Sequence, residues 1–557
     1  MSKKRILICS EASYTLSGFG VYAKEVISRL YNSGKYEIAE FCQFGMVNDP
    51  RDVFPWKVYP NMVGPQDPRF GDYQSGGNQF GAWRFERVLI DFKPDFVFSY
   101  LDPWMFMYQE TTPLRKYFHR IIMPTCDSVP QQEEWIDNFC HADAVFAYTD
   151  WAIDVFKNQS GGLMKTEQAL SPGVTLDEYK PVINKLEHKR KFGFPNDINI
   201  VGTVMRNQRR KLYPDLMDAF NLFLDKCREE GNHELAQKTY LYFHVAYPDN
   251  KGCWNLPRLI KEKGLGHKIL FSYICRNCRA IFATPFQDAK TVCPRCNVAA
   301  AVTPRVEHGF TSAEMHDMYN LFDVYVQYAN CEGCGMPAIE AAACGVPVMA
   351  VDYSAMADVV RKVNGFPIRV ESLHRVVDED AYKAAPDNKD LANKLYKFLS
   401  LPISERQKKS IETREKVKHY YTWDRTAGIL MDYIDKTELT GLQGQWDAPP
   451  SYLQPRAEAK DCPPNLGNEE YVDWMLTNVL GDVSQVSTMM ALDMVRALNC
   501  EMIVATNQDN RPYTREDVVA KIEGLIKNSN LCEHARVGQL PLSPEDYIEY
   551  AHSKENK

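Results

Sequence analysis

The sequence predicts an α/β protein built from two doubly wound parallel sheets. Short apolar runs alternate with amphipathic stretches in two separate series, and a segment with several turn-forming residues at 171–181 divides them. Alternation of strands and helices indicates a parallel sheet covered by helices on both faces. A chain of 557 residues is also too long for one hydrophobic core, so several domains are expected.

The first series begins close to the N-terminus. It predicts strands at 5–9, 95–101, 120–125 and 142–148, with helices at 21–31 and 150–157. A charged stretch at 185–191 precedes the second series, so we place a hinge between the two series. Residues 1–180 are therefore assigned to an N-terminal Rossmann-like domain.

The second series is longer and is interrupted once. It predicts strands at 198–205, 239–246, 268–274, 324–328 and 346–351, with helices at 213–229, 256–263, 312–321, 337–344 and 355–363. Helical stretches follow, so the second Rossmann-like domain is assigned to 181–437, with a closing helix at 422–437. A Pro-rich linker at 448–464 lies within a third region, 438–557, which is predicted to be a helical extension. Doubly wound sheets bind ligands at the carboxyl ends of their strands, so two facing sheets predict a cleft between domains.

Composition limits the kinds of partner. The 65 basic and 73 acidic residues give a net charge of −8, which argues against a uniformly cationic surface for nucleic acid or anionic lipid. No run of about 18 apolar residues occurs, and the N-terminal segment lacks the apolar stretch of a signal peptide. Four of the sixteen cysteines form one regular pattern and the others are scattered, as in a reduced cytosolic protein. We therefore expect no membrane span and a cytoplasmic location.

The most informative segment runs from Glu332 to Val348. A glycine-broken loop follows a predicted strand, and Pro337 suits the first turn of the next helix because that turn needs no hydrogen bond from its amide. Free backbone amides at such a helix start favour a bound phosphate or sugar oxygen. Glu332 lies before the helix and Glu340 about one turn inside it, so both carboxylates can point into one cleft. There they can accept hydrogen bonds from sugar hydroxyls.

This segment resembles the E-x7-E signature of glycosyltransferase family 4, in the form EGxGxPxxEAxAxGxPV, and matches it residue by residue. The resemblance implies the GT-B fold, in which two Rossmann-like domains face a cleft. It assigns Glu332 to the sugar ring of the donor and Glu340 to the ribose hydroxyls. Gly335, Met336 and Pro337 are then also donor-binding residues. The alternative is a pair of carboxylates at a helix terminus beside a glycine turn.

A basic loop follows the first predicted strand of the second domain. The family places a basic pair here, and Arg206 and Lys211 match it. The resemblance implies that they neutralise the diphosphate of the donor as the leaving group departs. Arg209 and Arg210 stay unassigned, and a basic loop by itself is usually a solvated surface.

The first domain offers weaker matches. Gly18 and Gly20 lie in the predicted loop between the first strand and the first helix, where glycine lets the backbone approach a ligand. In the family the corresponding loop approaches the donor from the opposite side. Asp127 ends a later strand where relatives often carry a His-Asp pair, but Cys126 replaces the histidine. The departure puts the histidine contact in question and leaves Asp127 as an acceptor-side residue.

Together the matches span about residues 5–437 and imply an enzyme. It would be a retaining hexosyl- or pentosyltransferase that uses a nucleoside diphosphate sugar and needs no catalytic metal. The catalytic candidates are Glu332, Arg206, Lys211 and Asp127, and the N-terminal domain would bind the acceptor. The implied mechanism is front-face substitution, in which the leaving phosphate helps to deprotonate the acceptor, so no catalytic base is assigned.

Two CxxC pairs interrupt the second series. Cys275 and Cys278 are followed, after fourteen residues, by Cys293 and Cys296, the pattern of a tetrahedral four-cysteine zinc site. Four thiolates leave no open coordination position, so the predicted zinc is structural. The zinc-ribbon insert is assigned to 272–305.

The ribbon leaves two interpretations open. It either staples a long loop or recognises the acceptor or a partner through nearby basic residues, which are Arg276, Arg279, Lys290, Arg295 and Arg305. A transferase with an internal zinc ribbon is similar in general style to bacteriophage enzymes that add sugars to hydroxymethylated bases of DNA. That likeness would make nucleic acid the acceptor and the host cytoplasm the location.

Other functions remain as alternatives. The acceptor can be a polysaccharide, a lipid or a protein, and the oligomeric state is open. From a different class, the chain can be a zinc-ribbon nucleic-acid-binding protein on an inactive transferase scaffold, although the intact Glu332, Glu340, Arg206 and Lys211 favour the enzyme. A sugar-nucleotide epimerase of the same fold is disfavoured because its signature histidines are not evident.

Overall fold

The structure is a computed structural model that describes residues 3–446, apart from positions 47, 48, 113, 196, 250, 251, 288–290, 306 and 307. The predicted linker and most of the helical extension lie outside the described residues, and the described part of that region, 438–446, consists of turns and irregular chain. Contacts divide the chain into two compact units. The first contains the residues up to Pro124, Asp137–Val145 and those from Tyr433, and the second contains Thr125–Ile136 and Phe146–Asp432.

The first sheet has seven strands in the order β3-β2-β1-β4-β5-β6-β7. They are β1 (Lys4–Ser10), β2 (Tyr36–Met46), β3 (Lys57–Met62), β4 (Phe96–Ser99), β5 (His119–Ile122), β6 (Ala144–Ala147) and β7 (Thr166–Ala169). β1 pairs in parallel with both β2 and β4, so the strand order reverses at the first strand. This is the doubly wound arrangement, which places ligands at the carboxyl ends of the strands around that reversal. β2 and β3 are absent from the sequence prediction.

Five helices belong to this series: α1 (Gly18–Asn32), α2 (Phe70–Tyr73), α3 (Phe85–Phe92), α4 (Glu133–Cys140) and α5 (Asp150–Gln159). Ser17 caps α1, since its hydroxyl accepts a hydrogen bond from the Gly20 amide at 3.0 Å. Gly18 and Gly20 therefore lie in the first turn of α1, and not in the preceding loop as predicted. A Cβ atom on Gly20 would come within 2.7 Å of the Thr15 carbonyl oxygen, so close packing requires glycine there.

The second sheet has eight strands: six repeat the order β3-β2-β1-β4-β5-β6 of the first sheet, and two are added. Its path is β11-β10-β9-β8-β13-β14-β15, with β12 beside β10. The strands are β8 (Asn199–Val204), β9 (Thr239–His244), β10 (Ile269–Cys275), β11 (Ile281–Pro285), β12 (Ala301–Val302), β13 (Val324–Gln327), β14 (Val348–Val351) and β15 (Phe366–Ile368). Six strands are parallel, namely β8, β9, β10, β13, β14 and β15, whereas β11 and β12 pair with β10 antiparallel. The cysteine-containing insert thus extends the sheet at its edge.

Ten helices accompany this sheet: α6 (Lys185–Lys191), α7 (Tyr213–Glu229), α8 (His233–Lys238), α9 (Leu256–Glu262), α10 (Ser312–Tyr319), α11 (Met336–Ala343), α12 (Ser354–Lys362), α13 (Asn388–Leu399), α14 (Ile403–Tyr420) and α15 (Trp423–Lys436). An antiparallel hairpin, β16 (Val370–Val376) and β17 (Ala381–Pro386), is inserted between β15 and α13. The sequence prediction did not contain this hairpin.

Two Rossmann-like sheets confirm the predicted α/β fold class. Each buries apolar side chains of its strands and helices: Leu7, Phe41 and Val97 belong to the first core, and Phe220 and Phe271 belong to the second. Across the described residues we find no helix that combines the length and the apolar character needed to cross a bilayer.

Candidate active site and cysteine cluster

The loop between β13 and α11 is shaped by two glycines. Gly335 has φ +82°, a left-handed conformation that strains other residues, and α11 starts directly after it with Pro337 in the first turn. A Cβ atom on Gly333 would lie 2.4 Å from the Thr125 methyl group. These constraints let Glu332 lie before the helix and leave the first amides of α11 without partners in the helix.

Glu332 is buried, with 5% of its surface exposed, and it has three donors. Arg210 Nη1 donates to Oε2 at 2.7 Å, Gln327 Nε2 donates to Oε1 at 2.6 Å, and the Lys211 ammonium contacts Oε1. A buried carboxylate is stable as an anion only when it is paired and hydrogen-bonded, and Glu332 meets both conditions. We call Glu332, Arg210, Lys211 and Gln327 the Glu332 cluster.

The Glu332 cluster contains two basic residues. Lys211 was a predicted site residue, whereas the sequence left Arg210 unassigned. Lys211 is buried, and burial, together with the charge of Arg210, lowers its pKa well below the ordinary value. Cys331 and the charge of Asp127 oppose this lowering in part, and the Lys211 ammonium is in direct contact with the Glu332 carboxylate. Arg210 also donates to the Cys331 carbonyl at 3.0 Å, which ties the loop after β8 to the loop after β13.

Arg206 is not part of the Glu332 cluster, unlike Lys211, with which it was predicted to form a basic pair. Its side chain is 58% exposed and is 3.7 Å from the Asp249 carboxylate. The structure therefore brings Lys211 and Arg210 to Glu332 and leaves the Arg206 guanidinium at the surface. Sequence alone did not separate Arg210 from its neighbours, because its partner is 122 positions away.

Glu340 lies within α11 and has a neutral donor. The Tyr319 hydroxyl donates to its Oε2 at 2.6 Å. Burial raises the pKa of the Glu340 carboxyl above its ordinary value, and the hydrogen bond from Tyr319 offsets only part of that rise. Glu332 and Glu340 thus have contrasting electrostatic environments within one motif.

Asp127 belongs to the second unit and lies next to the Glu332 cluster. Its carboxylate accepts from the Cys331 thiol at 3.1 Å and from the Ser128 hydroxyl at 2.9 Å, and it pairs with the Lys383 ammonium at 3.2 Å. Burial raises the pKa of Asp127, but Lys383, the two hydrogen bonds and the charge of Arg210 outweigh burial and lower it below the ordinary value. Lys383 was not among the predicted site residues.

Cys126, which stands where relatives often carry a histidine, is fully buried. Burial raises the pKa of its thiol well above the ordinary value, and the negative charge of Asp127 adds to that rise. A neutral buried thiol cannot serve as a nucleophile or a base at neutral pH.

The four cysteines of the two CxxC pairs come together. Their Sγ atoms all lie within 4.8 Å of one another, with Cys275–Cys296 and Cys278–Cys293 each at 3.6 Å. A tetrahedral ion with Zn–S bonds of about 2.3 Å needs sulfur atoms about 3.8 Å apart. The cluster can therefore hold one metal ion.

The two CxxC turns have the same backbone geometry. The Arg279 amide donates to the Cys275 carbonyl and the Asn297 amide to the Cys293 carbonyl, both at 2.9 Å. Arg279 and Asn297 also share a left-handed φ of 56°. Two matching turns that aim four thiols at one point are typical of a zinc ribbon.

Comparison with known families agrees with this geometry. Residues 305–417 match the family model described as Glycosyl transferases group 1, and this segment contains both glutamates of the motif. The chain therefore carries a glycosyltransferase domain, and the prediction of a glycosyltransferase enzyme is confirmed. Among curated proteins, none matches this sequence.

Solved structures share the fold at low sequence identity. Sucrose-phosphate synthase from Thermosynechococcus elongatus is 16% identical with a TM-score of 0.57, covering 78% of this chain and 99% of that one. A glycosyltransferase from Rickettsia africae is 14% identical with a TM-score of 0.52, covering 79% and 100%. The Anabaena protein HepE in complex with UDP and glucose is 13% identical with a TM-score of 0.51, covering 78% and 100%. These likenesses support the predicted GT-B fold.

Proposed function

We propose that this protein transfers a sugar from a nucleoside diphosphate sugar to an acceptor and retains the anomeric configuration, as family 4 enzymes of the GT-B type do. The observation that carries the proposal is the Glu332 cluster. A carboxylate held ionised between two cations, beside the glycine loop that opens α11, offers both charges that the reaction needs. The carboxylate faces a sugar ring that gains positive charge, and Lys211 faces a diphosphate that gains negative charge.

The donor site extends along α11. The backbone amides of Gly335 and Met336 at the start of the helix favour a phosphate or sugar oxygen, and Pro337, which has no amide hydrogen, lies in the first turn beside them. Glu340 lies further along the helix, and its single neutral donor from Tyr319 leaves it able to accept from ribose hydroxyls.

In this proposal, basic side chains of the loop after β8 bind the diphosphate of the donor. Lys211 is already in place, and the exposed side chain of Arg206 is free to turn from Asp249 towards a diphosphate. The HepE structure contains UDP and glucose, and a relative of the same fold with such ligands supports a UDP-type donor here.

The chemistry then follows from these charges. The bond between the anomeric carbon and the phosphate oxygen breaks, the acceptor oxygen bonds to the same face, and the departing diphosphate takes the acceptor proton. Arg206 and Lys211 stabilise the leaving group, and Glu332 stabilises the sugar cation. Asp127 is a poor candidate for the base, because its pKa is lowered, and we assign it to orienting the acceptor.

The cysteine cluster is proposed to bind zinc for folding and not for catalysis. Cys275, Cys278, Cys293 and Cys296 fill a tetrahedral shell, which leaves no position for a substrate or a water molecule. Donor chemistry in this proposal needs no metal.

We further propose a nucleic acid as the acceptor, such as a hydroxymethylated base in DNA. The supporting observation is the exposure of Arg276, Arg295 and Arg305 on the ribbon, where they can contact phosphates. Arg279 is engaged with Glu314 at 3.2 Å, and Lys290 lies outside the described residues.

A panel of UDP-, GDP- and ADP-sugars tests the donor. A true donor should raise the unfolding midpoint according to its affinity and should be slowly hydrolysed without an acceptor. NMR of the released or transferred sugar reports the anomeric configuration. Absence of both stabilisation and hydrolysis across the panel would refute the proposed nucleoside diphosphate sugar donor, and an inverted product would refute retention.

The acceptor is tested separately with the donor that the panel identifies. Transfer to hydroxymethylated DNA should fall steeply with salt, because released counterions favour polyanion binding. Transfer only to a polysaccharide, lipid or protein would refute the nucleic-acid proposal and leave the donor assignment intact.

A further inference from the structure

We propose that Lys383, on the β16–β17 hairpin, is a positioning residue that holds the Asp127 carboxylate ionised and fixed beside the Glu332 cluster. The hairpin is then part of the active site and not a surface decoration. The catalytic meaning of this inference rests on the proposed function, whereas the contact between Lys383 and Asp127 can be tested without any substrate.

The hairpin is fixed on both sides of Lys383. The Tyr382 amide donates to the Val129 carbonyl at 2.7 Å, and the Ala384 amide donates to the Asn330 carbonyl at 2.9 Å. Val129 lies two residues after Asp127, and Asn330 lies one residue before Cys331. β17 is therefore hydrogen-bonded to the two segments that carry the partners of Lys383, so the position of its side chain is set by backbone geometry.

Lys383 is almost completely buried, with 3% of its surface exposed. Its ammonium lies 3.2 Å from Asp127 Oδ1 and 2.5 Å from Glu379 Oε2. Burial lowers the pKa of Lys383, but Cys331, Asp127 and Glu379 more than compensate and raise it above the ordinary value. A buried ammonium needs an anionic partner, and Asp127, at 26% side-chain exposure, is better shielded from solvent than Glu379 at 50%.

A chain of contacts links this pair to the Glu332 cluster. The Cys331 thiol donates to Asp127 Oδ2 at 3.1 Å, and the carbonyl of the same residue accepts from Arg210 Nη1 at 3.0 Å. The same Arg210 nitrogen donates to Glu332 at 2.7 Å. Loss of Lys383 should therefore free Asp127 to protonate or turn and should disturb the Arg210–Glu332 contact.

The charge state of Asp127 depends on groups from several elements. Those that face it or its partner are Lys383 and Glu379 of the hairpin region, Cys331 after β13, Arg210 and Lys211 after β8, Tyr353 before α12, and the adjacent Cys126. Lys383 is the cation in direct contact with the carboxylate. Its removal should leave burial as the dominant effect and raise the Asp127 pKa.

The contact is tested by a double-mutant cycle of Lys383→Met and Asp127→Asn, read by thermal unfolding without substrate. The folded-state pKa of Asp127 is lowered, so the pair stabilises the fold above the ordinary Asp pKa of about 3.9, and this stabilisation is lost as pH falls through the lowered pKa. At pH 7, Lys383→Met should lower the midpoint by several degrees in the wild-type background and by much less in the Asp127→Asn background. Equal losses in both backgrounds would overturn the inference.

The role in the active site is tested by the pH profile of nucleotide-sugar hydrolysis. Lys383→Met should lose at least tenfold more activity at the acidic end of the profile than at the basic end, because removal of the cation raises the Asp127 pKa. Lys383→Arg should restore most of the activity, and Lys397→Met, at an exposed lysine of α13, should behave as wild type throughout.

Two results would separate this inference from the proposed function. Energetic coupling without any change in the hydrolysis or transfer profile would make the pair structural and would overturn the positioning role. If the wild-type protein hydrolyses none of the nucleotide sugars, the proposed function fails together with the catalytic role, while the cycle still decides whether Lys383 holds Asp127.

Discussion

Glu332 and Glu340 are the two glutamates of one motif, and their surroundings differ sharply. Glu332 lies in a glycine-shaped loop and contacts Arg210, Lys211 and Gln327. Glu340 lies inside α11 and receives one hydrogen bond from a tyrosine. The loop carboxylate contacts two basic side chains, whereas the helix carboxylate belongs to a partly buried residue and has a neutral partner.

The spacing of the two glutamates in the sequence does not by itself define the role of either carboxylate. A carboxylate fixed between two cations keeps its charge without reorganisation, which suits it to a developing positive charge. A carboxylate with one neutral donor can exchange or add hydroxyl partners, which suits it to ribose. Substitutions at the two glutamates should therefore produce two kinds of defect.

The largest effect is expected for Glu332→Gln. It removes the negative charge that should stabilise the sugar cation, so turnover should fall by about 100-fold or more, with a much smaller change in donor affinity. Steady-state hydrolysis and donor titration measure the two quantities. Glu405→Gln, at an exposed position in the first turn of α14, is the matched control.

The same substitution should also destabilise the protein, because Arg210 and Lys211 lose their common anion. Removing one partner of a buried pair costs about 3–5 kcal/mol, so assays need a temperature well below the variant's unfolding midpoint. A defect confined to donor affinity, in protein shown to be folded, would contradict the role of Glu332 in the transition state.

The next largest effects are expected for Arg206 and Arg210 of the basic loop, and the two substitutions should produce different defects. Arg206→Ala removes an exposed cation, so it should weaken donor binding by roughly tenfold and leave the unfolding midpoint unchanged. Arg210→Ala removes a hydrogen-bond donor to the Glu332 carboxylate, so it should lower both turnover and the unfolding midpoint. Donor titration and thermal unfolding of both variants check this. The reverse pattern would show that Arg210 contacts the donor and that Arg206 is a surface residue.

Glu340→Gln should give a smaller and opposite change in stability. The folded-state pKa of Glu340 is raised, so ionisation costs the folded state stability as pH rises above the ordinary Glu pKa of about 4.3. The variant should therefore unfold at a higher midpoint than wild type at pH 8, and this advantage should vanish near pH 4. Donor affinity should fall several-fold at pH 8, because an amide accepts fewer hydrogen bonds from ribose.

Thermal scans across pH, with and without the nucleoside diphosphate, measure both effects on one sample. Glu332→Gln provides the contrast, since it should lower the midpoint at pH 8. Destabilisation by Glu340→Gln at every pH would contradict the neutral environment that we describe for this carboxylate.

The sequence predicted the parts of the fold that follow from local pattern. α7 spans Tyr213–Glu229 as predicted, because its apolar positions recur with helical spacing and Pro214 suits its first turn. The β16–β17 hairpin was missed because β16 contains Glu371, His374 and Arg375 and is exposed along most of its length, so no apolar run marks it. Strands without a buried face leave little periodic signal.

In the candidate site, too, the residues that belong to a local sequence pattern were predicted and the others were not. The motif pointed to Glu332 and Glu340 and the cysteine spacing to the cluster, because each is contained in a short segment. Arg210 and Lys383 depend on contacts 122 and 256 positions apart in the chain, and neither residue belongs to a recognisable pattern. Tertiary proximity of single charged side chains could not be obtained from one sequence.

The smallest effect on donor hydrolysis is expected for a substitution in the cysteine cluster. In contrast to the two glutamates, the cluster is expected to contribute no side chain to the reaction. Cys293→Ser removes one of the four thiolates of the proposed zinc site, so the variant should bind less zinc than wild type and the segment around the cluster should lose local stability. Nucleotide-sugar hydrolysis should stay within about twofold of wild type, because a closed four-thiolate site contributes no ligand to the reaction. Metal analysis and hydrolysis are measured on the same preparation, with Cys253→Ser, at a cysteine outside the cluster, as the control.

Measuring transfer to the acceptor in the same variant tests whether the ribbon binds the acceptor. If the exposed Arg276, Arg295 and Arg305 bind a polynucleotide, Cys293→Ser should abolish transfer to DNA while hydrolysis continues, since unfolding the ribbon scatters these side chains. Equal retention of hydrolysis and transfer would show that the ribbon only stabilises the long connection after β10. Equal loss of both would mean that zinc stabilises the second sheet through β11 and β12, and the contrast between the glutamates and the cysteine cluster would then reflect stability and not chemistry.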